Sequence, residues 1–101
     1  MLKNNLTGKQ KSFLRSMGQT IEPVVQIGKE GVTPEVVTAA REAIKKRELI
    51  KVKVLQNAPE EPKEAIEKLA ERASSHLVQL IGRCGLLYKK NEENPKIELP
   101  K

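Results

Sequence analysis

Val24-Val25-Gln26-Ile27-Gly28-Lys29-Glu30-Gly31-Val32-Thr33-Pro34 reads as a short apolar strand, a two-glycine loop carrying a lysine, and a helix start. Thr33 is a good N-cap, and Pro34 suits the first helical position, where a missing N–H costs nothing. The helix that follows carries Val36, Val37, Ala40, Ala43 and Ile44 on one face. It ends in Lys45-Lys46-Arg47, cations that complement the negative end of the helix dipole. Leu49–Leu55 then alternates, with Ile50, Val52 and Val54 on one side and Lys51 and Lys53 on the other. That is a strand with one wet face. Strand, helix and strand in this order place the chain in the α/β class.

Upstream, Thr7-Gly8-Lys9-Gln10 has the Thr-x-x-Gln form of a capping box, after a ragged start at residues 1–5. Leu6, Gln10, Phe13, Leu14 and Met17 form one helical stripe, expected to face the core, with Lys11 and Arg15 opposite and Gly18 as the stop. Downstream, Asn57–Pro62 is a proline-punctuated turn. Ala65, Ile66, Leu69, Ala70 and Ala73 mark a third helix running to about Ser75. Leu77–Ile81 is a third strand, Gly82-Arg83-Cys84-Gly85 a turn and Leu86-Leu87-Tyr88 a fourth strand, the pair forming a hairpin. The order is an N-terminal helix followed by βαβαββ: a mixed four-stranded sheet packed with helices and joined by right-handed crossovers. It forms a single domain with its core over about residues 6–90. The tail, residues 91–101 with Pro95 and Pro100, is expected to add a short edge segment or to stay extended.

Hydrophobic residues make up 38% and charged residues 32% of the 101, the balance of a folded soluble domain rather than a disordered tail. A net charge of +6 and a pI near 9.6 favour an anionic partner. Lys3, Lys9, Lys11, Arg15 and Lys29 against Glu22 leave residues 1–29 at +4, whereas residues 60–76 stand at −2. The basic surplus therefore gathers around the glycine loop, and the third helix faces water or a different partner. No apolar run approaches the ~20 residues of a membrane span, and one cysteine, Cys84, excludes an internal disulfide. The expected setting is the reducing cytoplasm, with no membrane partner.

Catalysis has little to work with. There is no aspartate, and His76 and Cys84 are single, too few for a metal constellation. A Cys84–His76 nucleophile pair is the one formal option, set against a small apolar core cysteine and a surface histidine at a strand start. The glycine loop lacks the GxxxxGK[ST] spacing of a phosphate-hydrolysing loop. The chain is read as non-enzymatic, without metal or cofactor. Of two Gly-x-x-Gly matches, only Gly28–Gly31 opens a helix, whose unpaired N–H groups and partial positive charge suit a phosphate. The ordinary alternative is a tight strand-to-helix turn. Lys51 and Lys53 could hold phosphates or keep a sheet face soluble. With Phe13 and Tyr88 the only aromatics, base stacking is no major term, and if the anionic partner is RNA, phosphate and ribose contacts and RNA shape dominate.

Four blocks then occur together in order: Leu6-Thr7-Gly8-Lys9-Gln10-Lys11, Pro23 through Thr33, Glu48 through Val54, and Val78-Gln79-Leu80-Ile81-Gly82-Arg83 through Leu87-Tyr88. They resemble the bacterial YhbY-like proteins, the stand-alone form of the CRM domain (chloroplast RNA splicing and ribosome maturation). The resemblance implies a fold similar to the C-terminal domain of bacterial translation initiation factor three. It also implies an RNA-binding module associated with precursors of the large ribosomal subunit, and plant relatives of the family act in group II intron splicing. The family's loop, compared with that of KH domains, falls on Gly28-Lys29-Glu30-Gly31, where Glu30 adds a negative charge. The expected RNA-contacting set is that loop with Thr33, surrounded by Lys9, Lys11, Arg15, Lys51, Lys53 and Arg83. The expected partner is ribosomal RNA of the large-subunit precursor, with ribosomal proteins as further partners, and the expected state is a monomer. The competing expectation is a ribosome-associated adaptor that uses the acidic third helix, Glu64, Glu67 and Glu71, without touching RNA.

Overall fold

The computed structural model describes residues 6–100. Its elements are α1 (Gly8–Gly18), β1 (Pro23–Ile27), α2 (Pro34–Arg47), β2 (Leu49–Val54), α3 (Pro62–Arg72), β3 (His76–Ile81) and β4 (Cys84–Tyr88). The ragged start at residues 1–5, with Lys3, lies outside the described residues, as does Lys101. The four strands form one mixed sheet in the order β1-β2-β4-β3. β1 and β2 are parallel, and β4 runs antiparallel to both of its neighbours. The last strand of the chain is therefore inserted at the centre. Its residues Gly85 to Tyr88 are all buried, an unbroken run that suits a strand covered on both faces.

Each sheet face has its own core. On one, Val25, Ile27, Ile50, Val52, Val54 and Leu87 meet α2 and α3 through Ala40, Ile44, Ile66 and Leu69. Gly85 presents bare backbone to α3, since a Cβ there would lie 2.6 Å from Ile66 Cγ2. On the other, Leu14 of α1 packs with Leu49, Val78, Leu86 and Tyr88, and Leu6, Ile21, Ile97 and Leu99 close the rim.

The capping box of α1 forms as expected: the Gln10 N–H donates to Thr7 Oγ1 and the Thr7 N–H to Gln10 Oε1, each at 3.1 Å. The helix is nevertheless rotated from the expected stripe. Phe13 and Met17 are exposed (39% and 36%), whereas Leu14 and Gly18 are buried. Gly18 sets the rotation, because a Cβ at that position would overlap the Leu86 side chain. Its bare backbone is what lets the helix settle on the sheet, in addition to ending it. Lys11 and Arg15 consequently flank the contact and are half-buried rather than pointing away.

Two boundaries are also tighter than expected. α3 stops at Arg72 rather than near Ser75, because Ser74 turns the chain with φ +53°. Cys84 pairs with Ile81 inside the hairpin, so the turn is Gly82-Arg83 alone. Gly82 takes φ +58°, the left-handed first position of a type II′ turn.

Beyond β4 the tail adds no strand; it bends at Glu92–Asn94, where Asn91 Oδ1 accepts the Glu93 and Asn94 N–H groups, and it is held to the fold by Glu48. This residue lies between α2 and β2, fully buried, with φ +65°. Its Oε1 accepts the N–H groups of Lys96 (2.5 Å) and Ile97 (2.6 Å), and its Oε2 accepts that of Asn91 (2.8 Å). Nothing in the local sequence announces the role, since Glu48 follows Lys45-Lys46-Arg47 as one more charged residue at a helix end.

Candidate nucleic-acid interface

The glycine loop is a β-turn closed by the Gly31 N–H donating to the Gly28 carbonyl at 2.9 Å. Lys29 and Glu30 form its exposed crown, and neither takes positive φ; Gly31 does, at +76°. The Thr33 N–H donates to the Gly31 carbonyl (3.1 Å), and Thr33 Oγ1 caps α2 by accepting the Val36 N–H (3.1 Å). Several amides expected to face a phosphate are thus spent inside the chain. Those of Lys29 and Glu30 have no acceptor among the described residues.

Behind the loop, Arg72 Nη1 donates to the Val32 carbonyl at 3.2 Å, and the Pro59 ring packs against Gly31. Glu60 also sits there, ion-paired to Lys68 at 2.5 Å, which offsets its charge next to the loop. That is the one ion pair among the described residues, so Lys29 and Glu30 of the crown are not paired with each other. Arg72, Pro59 and Lys68 are loop supports that sequence inspection missed, because they come from the third helix and the turn before it.

Sheet register decides which cations join the loop. Gln26 of β1 pairs with Lys53 of β2, Lys53 with Cys84 of β4, and Cys84 with Ile81 of β3. These four form one row across the sheet, on the face opposite Val52 and Leu80, just before the glycine loop. Three hydrogen bonds tie the same end together. The Leu55 N–H donates to the Ile27 carbonyl (2.9 Å), the Val54 N–H to the Arg83 carbonyl (2.7 Å), and Arg83 Nη1 to the Leu55 carbonyl (3.2 Å). Lys29, Lys53 and Arg83 therefore share one end of the molecule. Lys51 lies one pleat further along the same face, half-buried.

Lys9, Lys11 and Arg15 are placed differently. Lys11 lies close enough to His76 to contribute, after burial, to lowering that imidazole's pKa from 6.5. His76 opens β3 opposite Tyr88, at the far end of the sheet from the loop. The His76–Tyr88 row lies about 14 Å from the Lys53 row, four residues at strand rise, and Lys11 of α1 stands within electrostatic reach of its His76. Arg15, one helical turn on, hydrogen-bonds Ser12 Oγ at 2.9 Å.

The same ladder separates the formal nucleophile pair, since Cys84 and His76 sit at opposite ends of the β3–β4 hairpin. His76 instead stacks on Tyr88, ring centroids 6.4 Å apart. Burial raises the Tyr88 phenol above 10, helped by Glu48 and Glu92. Among the described residues no group of three or more His, Cys, Asp or Glu could hold a metal, and no helix is long and apolar enough to cross a membrane.

The sheet order, the central antiparallel strand and the loop between β1 and α2 can be compared with known proteins. The CRS1 / YhbY (CRM) domain matches residues 6–89. The chain belongs to that family. A Bacillus subtilis relative, "Probable RNA-binding protein YqeI", is 48% identical over 95 residues, 94% of this chain and 99% of the relative. A Haemophilus influenzae relative named "RNA-binding protein" is 36% identical over 96 residues, 95% of this chain and 96% of its own length. The solution structure of the hypothetical protein SAV1595 from Staphylococcus aureus superposes with a TM-score of 0.79 at 46% identity, covering 95% of this chain and all of that one. As a CRM domain, the chain carries its Gly-x-x-Gly segment at the strand-to-helix junction described above.

Proposed function

We propose that this CRM domain is a non-enzymatic RNA-binding protein that acts on the large ribosomal subunit precursor in the cytoplasm. The observation that carries the RNA reading is the row at the loop end of the sheet. It gathers Lys53, Arg83 and Lys29 beside a turn with unspent crown amides, and no ladder position on that face is acidic. The names of the relatives point the same way. The ribosomal assignment rests on the family resemblance carried by the four sequence blocks. Backbone phosphate would sit at the crown of the loop, with Lys29 as its first cation and Lys53 and Arg83 holding the next phosphates. Glu30 faces the same solvent and tempers the attraction.

The test is binding to ribosomal RNA fragments across a salt series. If Lys29, Lys51, Lys53 and Arg83 each neutralise one phosphate of a single strand, log K falls with log salt at a slope near −2.8, about 0.7 per contact. Lys29→Ala or Lys53→Ala should each flatten the slope by about 0.7. Absence of binding at low salt, or slopes unmoved by these variants, overturns the reading. Nuclease-resistant capture of a ribosomal protein, lost on charge reversal at Glu64, Glu67 and Glu71, would establish the adaptor alternative instead.

A further inference from the structure

We propose that the uncovered part of the α1-side sheet face is a shelf for the bases of single-stranded RNA whose backbone lies on the Gly28–Gly31 loop. The inference rests on the RNA reading above and specifies which form of RNA the surface takes. α1 covers this face only over Leu49, Tyr88, Val78 and Leu86. Beyond it the row Gln26–Lys53–Cys84–Ile81 is left open, with Gln26 and Lys53 exposed, Cys84 half-buried and Ile81 exposed to 65%.

Ile81 is the most exposed large hydrophobic among the described residues, on a strand whose residues Val78 and Leu80 pack inward. Val24, 42% exposed, stands at the β1 side of the same face. An apolar surface in that position has no partner among the described residues. What it offers is chemically mixed: an aliphatic contact for a base face at Ile81, amide donors and acceptors at Gln26 and Gln79, and cations at Lys51 and Lys53. The row itself holds no carboxylate; Glu22 lies at the Val24 end and Glu30 at the loop crown. A lipid or an apolar helix would leave those amides and lysines desolvated without partners, whereas a base edge and its phosphate satisfy both.

The dimensions agree. Three strand spacings of about 4.8 Å make the shelf roughly 14 Å wide, room for the two or three bases that a four-stranded sheet accommodates in other RNA-binding folds. Gly28 follows Gln26 by two residues, so the loop crown borders the shelf directly. A strand of RNA can then keep its phosphates at the loop and Arg83 while its bases turn onto the sheet. Paired bases in a duplex are turned inward and cannot do so. Single-stranded RNA is therefore preferred.

Cys84, the one cysteine, lies in the middle of the row and serves as the reporter. Its alkylation rate is measured on the full chain alone, with a single-stranded oligoribonucleotide, and with the same sequence as a duplex. Affinities for both RNAs are measured for wild type, Ile81→Ser, Gln26→Ala and Lys29→Ala. The single strand should slow alkylation in proportion to the bound fraction, and the duplex should not. Ile81→Ser should weaken single-strand binding about five-fold, the loss expected when roughly 40 Å² of apolar contact with a base is removed, and leave duplex binding unchanged. Lys29→Ala should weaken both. Equal affinity for the two RNAs with Cys84 unprotected, while Lys29→Ala still weakens both, overturns the shelf and leaves RNA binding at the loop standing. No binding of either RNA overturns both.

Discussion

The two glycines of the loop should respond in opposite ways to alanine. Gly31 has φ +76°, and an added Cβ would lie 3.3 Å from Pro59 Cγ. An L-residue in the left-handed region costs about 1–2 kcal/mol, and the Pro59 contact adds to it. Gly28 has no positive φ, and its added Cβ would meet only Leu55 Cδ1 at 3.7 Å, an ordinary contact. Replacing that glycine restricts the unfolded chain and stabilises by about 0.4–1 kcal/mol. The pair should therefore differ by roughly 1.5–3 kcal/mol, which at about 4–8 °C per kcal/mol separates the melting midpoints by at least about 6 °C. Thermal unfolding followed by circular dichroism measures it directly. Gly31→Asn should recover part of the loss, because asparagine tolerates the left-handed region better than alanine does. In RNA binding the ranking reverses in meaning: Gly28→Ala is folded, and any loss of affinity it shows reports close approach of a ligand to the backbone. Equal midpoints for Gly28→Ala and Gly31→Ala, or a larger loss at Gly28, would refute the turn geometry on which this reasoning stands.

Other expectations follow from the buried polar groups. Glu48→Gln replaces one acceptor oxygen by a donor facing backbone N–H groups, so it should cost about 1–3 kcal/mol; the Asn91, Lys96 and Ile97 amides should then exchange with solvent much faster than in wild type, as read by hydrogen exchange. His76 has its folded pKa depressed below 6.5 by burial first and by Lys11 second. The unfolded chain thus takes up the proton first as pH falls, and stability should decline as pH drops from above 6.5 through the lowered folded value. His76→Gln should flatten that part of the denaturation-versus-pH curve, and Lys11→Met should shrink it. Tyr88 is the one tyrosine, so a near-ultraviolet titration of the intact protein should show phenolate appearing only above the ordinary value of 10, in a single step. Ionisation at or below 10 would mean that the ring is not held in the α1-side core.

Much of the architecture is written in local pattern. The alternation of Leu49–Val54, the caps at Thr7 and Thr33 and the apolar face of α3 each specify an element from residues adjacent in sequence, and the four blocks carry the family. What local pattern does not encode is which neighbour a surface meets. Phe13 and Met17 look like core by spacing, yet Gly18 lets Leu86 approach and turns them outward. Glu48 looks like a solvated charge until the tail returns to it across the fold. At the candidate site the loop and Lys53 were legible in the sequence. The ladder that brings Arg83 and Ile81 beside them, and carries Lys11 to the other end, depends on pairings between strands far apart in the chain. Tertiary register, rather than composition, separates the basic residues that share the loop's surface from those that do not.

The most direct test is an amide chemical-shift map of the 15N-labelled chain titrated with a short single-stranded oligoribonucleotide. Perturbations should concentrate at Gly28–Gly31, at Gln26 and Lys53, and at Ile81–Cys84, with Glu64, Glu67 and Glu71 on α3 unmoved. Shifts centred on α3, or on Lys11 and His76 at the far end of the sheet with the loop silent, would contradict an RNA interface at the glycine loop.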